Sequence, residues 1–477
     1  MHELGDARKK LAPLLILVLL LPGLALPGLA CQAVTRPFQP APTQAQQVSQ
    51  GQITRAVSPT PPPTLTWTPT VTRLPTLTPS PTSAPAQTPT LVVTPSAVQM
   101  RVFERLWLIV RDNYLYPDFN GLDWDAVHLE YRQKIEAGLT DDAFYAAMGE
   151  MIQRLGDDHS IFFSPEQARR TDTELAGKNS YVGIGVLEIV VPERSLITIL
   201  LAFPSSPAEE AGLQSHDNIL AVDGHPIIDE TGVRRDLLAG PPGSKVVLTI
   251  QTPGQAPRQV EITRRELTES IPVPHAALTT PEGKRVGYLL LPTFEDDTIT
   301  AKVKQALKDL SAQGHLDGII LDNRMNTGGT NIVARGVLSY FTRGNMGYFI
   351  DRSQHKQAFN VIGNDIQGSS RLPLVVLTGP DTISFGEIFS GVLQDGGRAF
   401  LIGERTAGNV ELLFPFNFED GSRVWLAHEA FHPRNHPQQI WEKTGVVPDQ
   451  VVLSNWDQVT LQTDPVVNAA LDHFDGN

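Results

Sequence analysis

Acyl transfer needs a nucleophile, a base, a group that orients the base, and donors for an oxyanion. The apolar run Leu374-Val375-Val376-Leu377 leads through Thr378-Gly379-Pro380-Asp381-Thr382-Ile383 to Ser384-Phe385-Gly386-Glu387, where a helical pattern begins. A serine at such a strand-to-helix turn exposes its hydroxyl. The Phe385 N–H points out of a helix N-terminus, where negative charge is favoured. Taken alone, the stretch reads better as a serine helix cap than as a nucleophile. A candidate base, His159, lies in Leu155-Gly156-Asp157-Asp158-His159-Ser160. That run is polar enough for a plain surface loop or cap. A rival chemistry is written at His428-Glu429-Ala430-Phe431-His432, which matches the HExxH zinc-peptidase pattern. It needs a helix to bring both histidines to one face. Val424-Trp425-Leu426-Ala427 reads instead as a strand, and Pro433 disfavours helical geometry at His432. No metal or other cofactor is therefore expected.

The elements that must position these residues fall into blocks. Val102, Leu106, Ile109 and Val110 mark one helical face, and Asp141-Asp142 open a second helix carrying Phe144, Met148 and Ile152. This predicts a helical N-terminal domain over 98–170. Strand-like runs follow at Gly185–Val191, Leu196–Leu201, Asn218–Val222, Lys245–Gln251 and Gln259–Arg264, giving a β-rich domain over 180–267. Residues 284–455 read as α/β. Strands are expected at Val286–Leu291, Gly318–Leu321, Leu374–Leu377, Ala399–Ile402 and Val424–Ala427, and helices at Ile299–Leu310 and Gly386–Gln394. Residues 456–477 form a C-terminal tail helix. The fold class is thus a multidomain α+β and α/β chain.

Composition narrows the partners. The chain has 477 residues and a formal charge of −14. Residues 98–477 hold 50 acids against 32 bases, a balance that nucleic acid and anionic lipid would repel. The single cysteine, Cys31, excludes an internal disulfide framework. Arg8-Lys9-Lys10 and the apolar run Leu11–Ala30 read as an export signal over 1–30, since Pro13, Pro22 and Pro27 argue against an uncleaved membrane helix. Gly28-Leu29-Ala30-Cys31 resembles a bacterial lipobox, which implies lipidation of Cys31 and a membrane-anchored, extracytoplasmic protein. Leucine sits one place late in it, with Gly28 where leucine is usual. Residues 31–97 are a Pro/Thr-rich linker. At about 3 Å per residue it reaches on the order of 200 Å, enough to hold a domain away from a membrane.

Several segments carry a resemblance to a known family. Ser206-Pro207-Ala208-Glu209-Glu210-Ala211-Gly212-Leu213, followed by Ile219-Leu220-Ala221-Val222-Asp223-Gly224, closely resembles the signature of PDZ domains in bacterial proteases. The resemblance implies a peptide C-terminus added as a strand, with its carboxylate at the turn Gly183-Ile184-Gly185-Val186. A domain that only packs and gates is the alternative. Asp322-Asn323-Arg324-Met325-Asn326-Thr327-Gly328-Gly329, Gly403-Glu404-Arg405-Thr406-Ala407-Gly408 and Glu442-Lys443-Thr444-Gly445-Val446-Val447-Pro448-Asp449 resemble the ordered motifs of the carboxyl-terminal-processing and tricorn-type serine peptidases. That implies a crotonase-like ββα-spiral catalytic core, polypeptide substrates and Ser384 as nucleophile.

The family has a Ser–Lys design, but the lysine position here holds Asn409, which cannot act as a base. The tricorn-like design implies His159 as base and Glu442 as its orienter. Asp158 stands where that design has a serine, so it is a second candidate orienter. For the oxyanion, the Phe385 N–H and one N–H of Gly328 or Gly329 are expected. The function implied is an exported serine endopeptidase acting on unfolded or C-terminally recognised proteins. A non-catalytic peptide-binding scaffold is the alternative reading.

Overall fold

The computed structural model describes residues 94–157, 159–175, 180–268 and 271–476. The signal-like segment, Cys31, most of the linker and Asp158 lie outside the described residues. No described helix is long and apolar enough to cross a membrane.

Three helices, Ala97–Asn113, Trp124–Glu136 and Asp141–Gln153, open the described chain. Side chains end two of them cleanly: Asp123 accepts from Ala126 N at 2.9 Å and Thr140 from Ala143 N at 3.3 Å. Their apolar stripes bury Phe103, Leu106, Val127, Phe144 and Met148. The same cluster contains Val424, Leu426 and Ala427 of the long strand Arg423–Pro433. The chain then adds a short strand, Ile161–Phe163, antiparallel to that strand. The helical region is therefore stitched into a sheet of the C-terminal region, and His159 sits at the seam.

The middle region is a β-rich domain. Its strands Val186–Val191, Leu196–Ala202, Asn218–Val222, Lys245–Gln251 and Arg258–Thr263 lie in that spatial order, all antiparallel to their neighbours. Val186–Val191 is an edge strand. The Gly183–Val186 turn enters it with Gly185 at φ 84°. Leu201 and Phe203 of this domain belong to the main core of the last region, so the two share buried surface.

Residues from His275 onward build one sheet and, with Ile161–Phe163, a second. One has the order His275–Thr279, Arg285–Leu290, Gly318–Asp322, Leu374–Thr378, Phe400–Gly403, Gln450–Val451. All its pairings are parallel except the first. Its central strands are buried along their whole length, which explains why they read as continuous apolar runs. The other sheet joins Ile161–Phe163, Arg423–Pro433, Gly344–Asp351 and Lys356–Val361, with Leu412–Asn417 on the same long strand. The C-terminal helix Pro465–Asp475 packs Val466, Val467, Ala470 and Phe474 against Val286 and Ile320 of the parallel sheet.

Buried charge fixes the end of the central strand. Arg324 Nη2 is 2.6 Å from Asp322 Oδ2, Arg324 Nη1 is 2.7 Å from Asp464 Oδ2, and Tyr288 Oη donates to Asp322 at 2.8 Å. Burial opposes ionisation of Asp322, but Arg324 outweighs it and holds the carboxyl below its ordinary range. The loop after this strand is thereby tied to the tail helix.

Candidate active site

Ser384 follows the Leu374–Thr378 strand and precedes the helix Phe385–Asp395, at φ 55° and ψ −124°. That backbone costs an L-residue about 1–3 kcal/mol and persists only where the surroundings over-determine it. They do so here from two sides.

The first brace is the loop 322–329. Ile383 N donates to Asn326 O at 3.0 Å, Thr382 Oγ1 to Asn323 O at 2.9 Å, and Asn323 Nδ2 to Gly386 O at 2.8 Å. Glycine is required where the loop and the turn touch. A Cβ on Gly328 (φ 96°) would stand 2.7 Å from Ser384 Cβ, and one on Gly386 would stand 2.5 Å from Asn326 O.

The second brace is Glu387, which is fully buried. Its carboxylate accepts from four donors: Ser384 N at 3.1 Å, Gly408 N at 2.7 Å, Asn409 N at 2.8 Å and the Thr406 hydroxyl. Burial pushes its pKa above the ordinary range, against the pull of those donors. The sequence reading passed over this residue. Its signal was present, because Ser384-Phe385-Gly386-Glu387 has the S-x-x-E spacing of a capping box.

Of the two glycines offered as alternative partners to the Phe385 N–H for an oxyanion, Gly328 already donates its N–H to Asn326 Oδ1 at 2.9 Å. The N–H groups of Phe385 and Gly329 have no partner among the described residues.

His159 is 9% exposed and is held in place by its neighbour's carboxylate, since Asp157 Oδ1 accepts from His159 N at 3.0 Å. Its Nε2 lies 3.4 Å from Glu442 Oε1 and 4.0 Å from Glu411 Oε2. Burial lowers the imidazole pKa, but Glu442 and then Glu411 outweigh it, so the net shift is upward. Among the described residues His159 makes no hydrogen bond to Ser384. A short path still joins them. Glu442 Oε2 accepts from Val410 N at 2.9 Å, and the carbonyl of the same peptide unit, Asn409 O, accepts from Ser384 N at 2.8 Å.

Glu411 was not anticipated, and no local pattern announces it. Its carboxylate accepts from the Tyr116 hydroxyl of the N-terminal region. Burial and the adjacent Glu442 push its pKa up to about 7.

The HExxH stretch lies in the extended strand Arg423–Pro433. Four residues on a strand span about 13 Å, too far for one ion. His432 Nδ1 donates to Pro437 O at 2.8 Å, and His428 stacks on Phe414 at 4.3 Å.

Comparison with known proteins follows the same division of the chain. Residues 285–452 match the peptidase family S41, residues 95–153 the tricorn protease C1 domain, and residues 202–252 a PDZ domain. A carboxyl-terminal-processing protease of Synechocystis is 31% identical over 390 residues, covering 79% of this chain and 87% of that protein. The solved photosystem II D1 C-terminal processing protease is 28% identical with a TM-score of 0.52, over 75% of this chain and 93% of that one. A putative S41 protease from Bacteroides fragilis shares the fold at a TM-score of 0.55 and 19% identity, over 78% of this chain and 97% of that one.

The Glu387 brace is testable. Glu387→Gln turns an amide NH₂ toward backbone N–H groups that need an acceptor. Misplacing the turn should lower kcat/KM by about 10²-fold while the melting temperature shows a folded protein. A folded Glu387→Gln enzyme with wild-type kinetics would show that the turn holds without it.

Proposed function

The chain belongs to the carboxyl-terminal-processing, tricorn-type peptidases of family S41 and is a serine-type peptidase. On that premise we propose that it is an exported endopeptidase in which Ser384 attacks the scissile carbonyl and His159 takes the serine proton. The observation that carries this reading is the Asn409–Val410 peptide unit. Its carbonyl accepts from Ser384 N at 2.8 Å, and its N–H donates at 2.9 Å to the carboxylate beside His159. Ser384 and Glu442 thus share one rigid peptide plane, and His159 lies against Glu442.

The roles follow from the donor inventory. Glu442 accepts the Nε2 proton and fixes the tautomer, which leaves the Nδ1 lone pair to accept the Ser384 proton and later return it to the leaving amine. Asn409 supplies backbone only. The developing oxyanion lies between the N–H groups of Phe385 and Gly329, both without other partners among the described residues. His159 and Ser384 reach hydrogen-bond distance as substrate fills the cleft, since such contacts are often loose in an empty site.

Two further parts of the proposal concern address and substrate. The basic start, the apolar run and Cys31 support export and lipid anchoring to the outer face of the cytoplasmic membrane. The edge strand Val186–Val191 and the turn at Gly183, Ile184, Gly185 and Val186 support capture of a polypeptide C-terminus as an added strand.

His159→Ala should lower kcat by on the order of 10⁴–10⁶ with folding intact, whereas Asn409→Ala, which keeps the bridging peptide, should lose less than about tenfold. A fluorophosphonate probe should label wild type and not Ser384→Ala. A His159→Ala enzyme at wild-type rate removes the proposed base, and an unlabelled wild type favours the scaffold reading. Amidating the C-terminus of a test peptide should raise KM more than it lowers kcat, because the contact is remote from the reacting carbonyl. Equal kinetics for both peptides would leave the PDZ domain a packing or gating element. Cys31→Ser should move the protein from the membrane fraction into the medium, and unchanged retention would point to an uncleaved helix instead.

A further inference from the structure

The group around His159 holds one more carboxylate than a hydrolytic triad needs. Three ligand-type atoms, His159 Nε2, Glu411 Oε2 and Glu442 Oε1, come from three separate stretches of chain and lie within 4.8 Å of one another. We infer that they form a site for a zinc-class divalent cation, and that filling it switches the peptidase off. The site itself stands on geometry. Its action as a brake rests on the reading of His159 as the base.

Several observations converge. Glu411 is 4% exposed, and its Oε2 has no hydrogen-bond partner among the described residues although it lies 4.0 Å from the imidazole Nε2. Leaving a buried carboxylate oxygen unpartnered is costly unless something else is accommodated there. The other oxygen of each carboxylate is already held: Glu411 Oε1 by the Tyr116 hydroxyl and Glu442 Oε2 by Val410 N. Metal-ligating carboxylates are typically oriented by such outer contacts, with the remaining oxygen turned inward.

The spacing suits a small cation. Zinc bound tetrahedrally at about 2.0–2.2 Å places its ligand atoms about 3.3–3.6 Å apart. The Nε2 to Glu442 separation is 3.4 Å and already fits, whereas Nε2 to Glu411 is 4.0 Å and the three atoms lie within 4.8 Å of one another, so Glu411 has to draw in by on the order of an ångström. One neutral imidazole and two carboxylates neutralise a dication, which also removes the repulsion between the two acids. Imidazole in the set selects zinc-class ions over magnesium or calcium, which prefer oxygen ligands throughout. The Glu442 side chain is 10% exposed, against 5% for His159 and 1% for Glu411, so the open side of the site is at Glu442.

The consequence for catalysis is a matter of tautomers. A metal on Nε2 takes that lone pair, and the neutral ring must then keep its proton on Nδ1. Nδ1–H cannot accept the Ser384 proton. The enzyme is silenced without blocking Ser384 or altering the fold, and removing the metal restores it.

The test separates the site from the brake. Full-length Ser384→Ala protein, stripped with chelator, is titrated calorimetrically with zinc chloride. One tight site per chain is expected, and Glu411→Gln on that background should weaken it at least tenfold. Magnesium and calcium should give no matching heat. Because a folded Glu411→Gln protein is not guaranteed, cobalt(II) added to the unsubstituted chain gives a second readout, the visible bands of a four-coordinate site, displaced by zinc. Wild-type peptidase activity should fall with zinc over the same concentration range and return with chelator. Binding that Glu411→Gln leaves unchanged, together with no four-coordinate cobalt spectrum, overturns the site. Tight, Glu411-dependent zinc binding to a protein with no peptidase activity keeps the site and overturns the serine-peptidase reading on which the brake depends.

Discussion

The buried carboxylate of Glu387 is the constraint on which the site depends. It accepts from Ser384 N on one side and from Thr406, Gly408 and Asn409 on the other. A charge so deeply buried is tolerable only with its acceptor positions filled. That requirement runs in both directions: the donors stabilise the charge, and the charge fixes the donors. The positive-φ turn at Ser384 and the 406–410 segment are therefore not independent loops that happen to meet. The second carries the Asn409–Val410 peptide whose N–H reaches Glu442, so the position of the carboxylate beside His159 also descends from Glu387.

The opposite face of the turn is held by the 322–329 loop, and that loop is anchored by a second buried charge group. Arg324 lies between Asp322 and Asp464, with its guanidinium 4.9 Å from the Trp456 ring centroid. The parallel sheet thus ends in a loop tied to the C-terminal helix, and the turn at Ser384 packs on that loop through contacts only glycine permits at Gly328 and Gly386. Stability and chemistry share these residues. A change at Arg324 acts on the site through the backbone of Asn326, without touching Ser384.

Much of this was legible in the sequence. The strand-to-helix turn at Ser384 is legible in the sequence, but alone it reads as a helix cap; the resemblance of the 322–329, 403–408 and 442–449 segments to family motifs is what singles out Ser384 and the glycines of 328–329. The buried parallel strands were recognisable since both their faces are covered. Other features were not. Glu411 is an acid next to a strand in sequence, and only the meeting of Tyr116, His159 and Glu442 gives it meaning. The strands Gly344–Asp351 and Lys356–Val361 escaped notice because they are half exposed and rich in polar residues. The helix Asn331–Leu338 is short and follows the glycine-rich loop directly, so its start was hidden by the motif before it. Gly328, expected as one of two alternative oxyanion donors, has its N–H bonded within its own loop. No pattern of residue types could have distinguished it from Gly329.

Asparagine at position 409 changes what the rest of the chain must do. In a Ser–Lys design the lysine would stand at position 409, in the segment that Glu387 already ties to the Ser384 turn. Here the candidate base comes from the connection between a helix of the N-terminal region and the short strand Ile161–Phe163. Its position relative to Ser384 depends on how that strand pairs with Arg423–Pro433 and on Ser160 Oγ, which accepts from Ala427 N at 3.1 Å. Weakening the helical region's hold on this sheet would displace the imidazole while leaving Ser384 and its two braces intact. Docking of the N-terminal helices is therefore part of the site's assembly as well as of its stability.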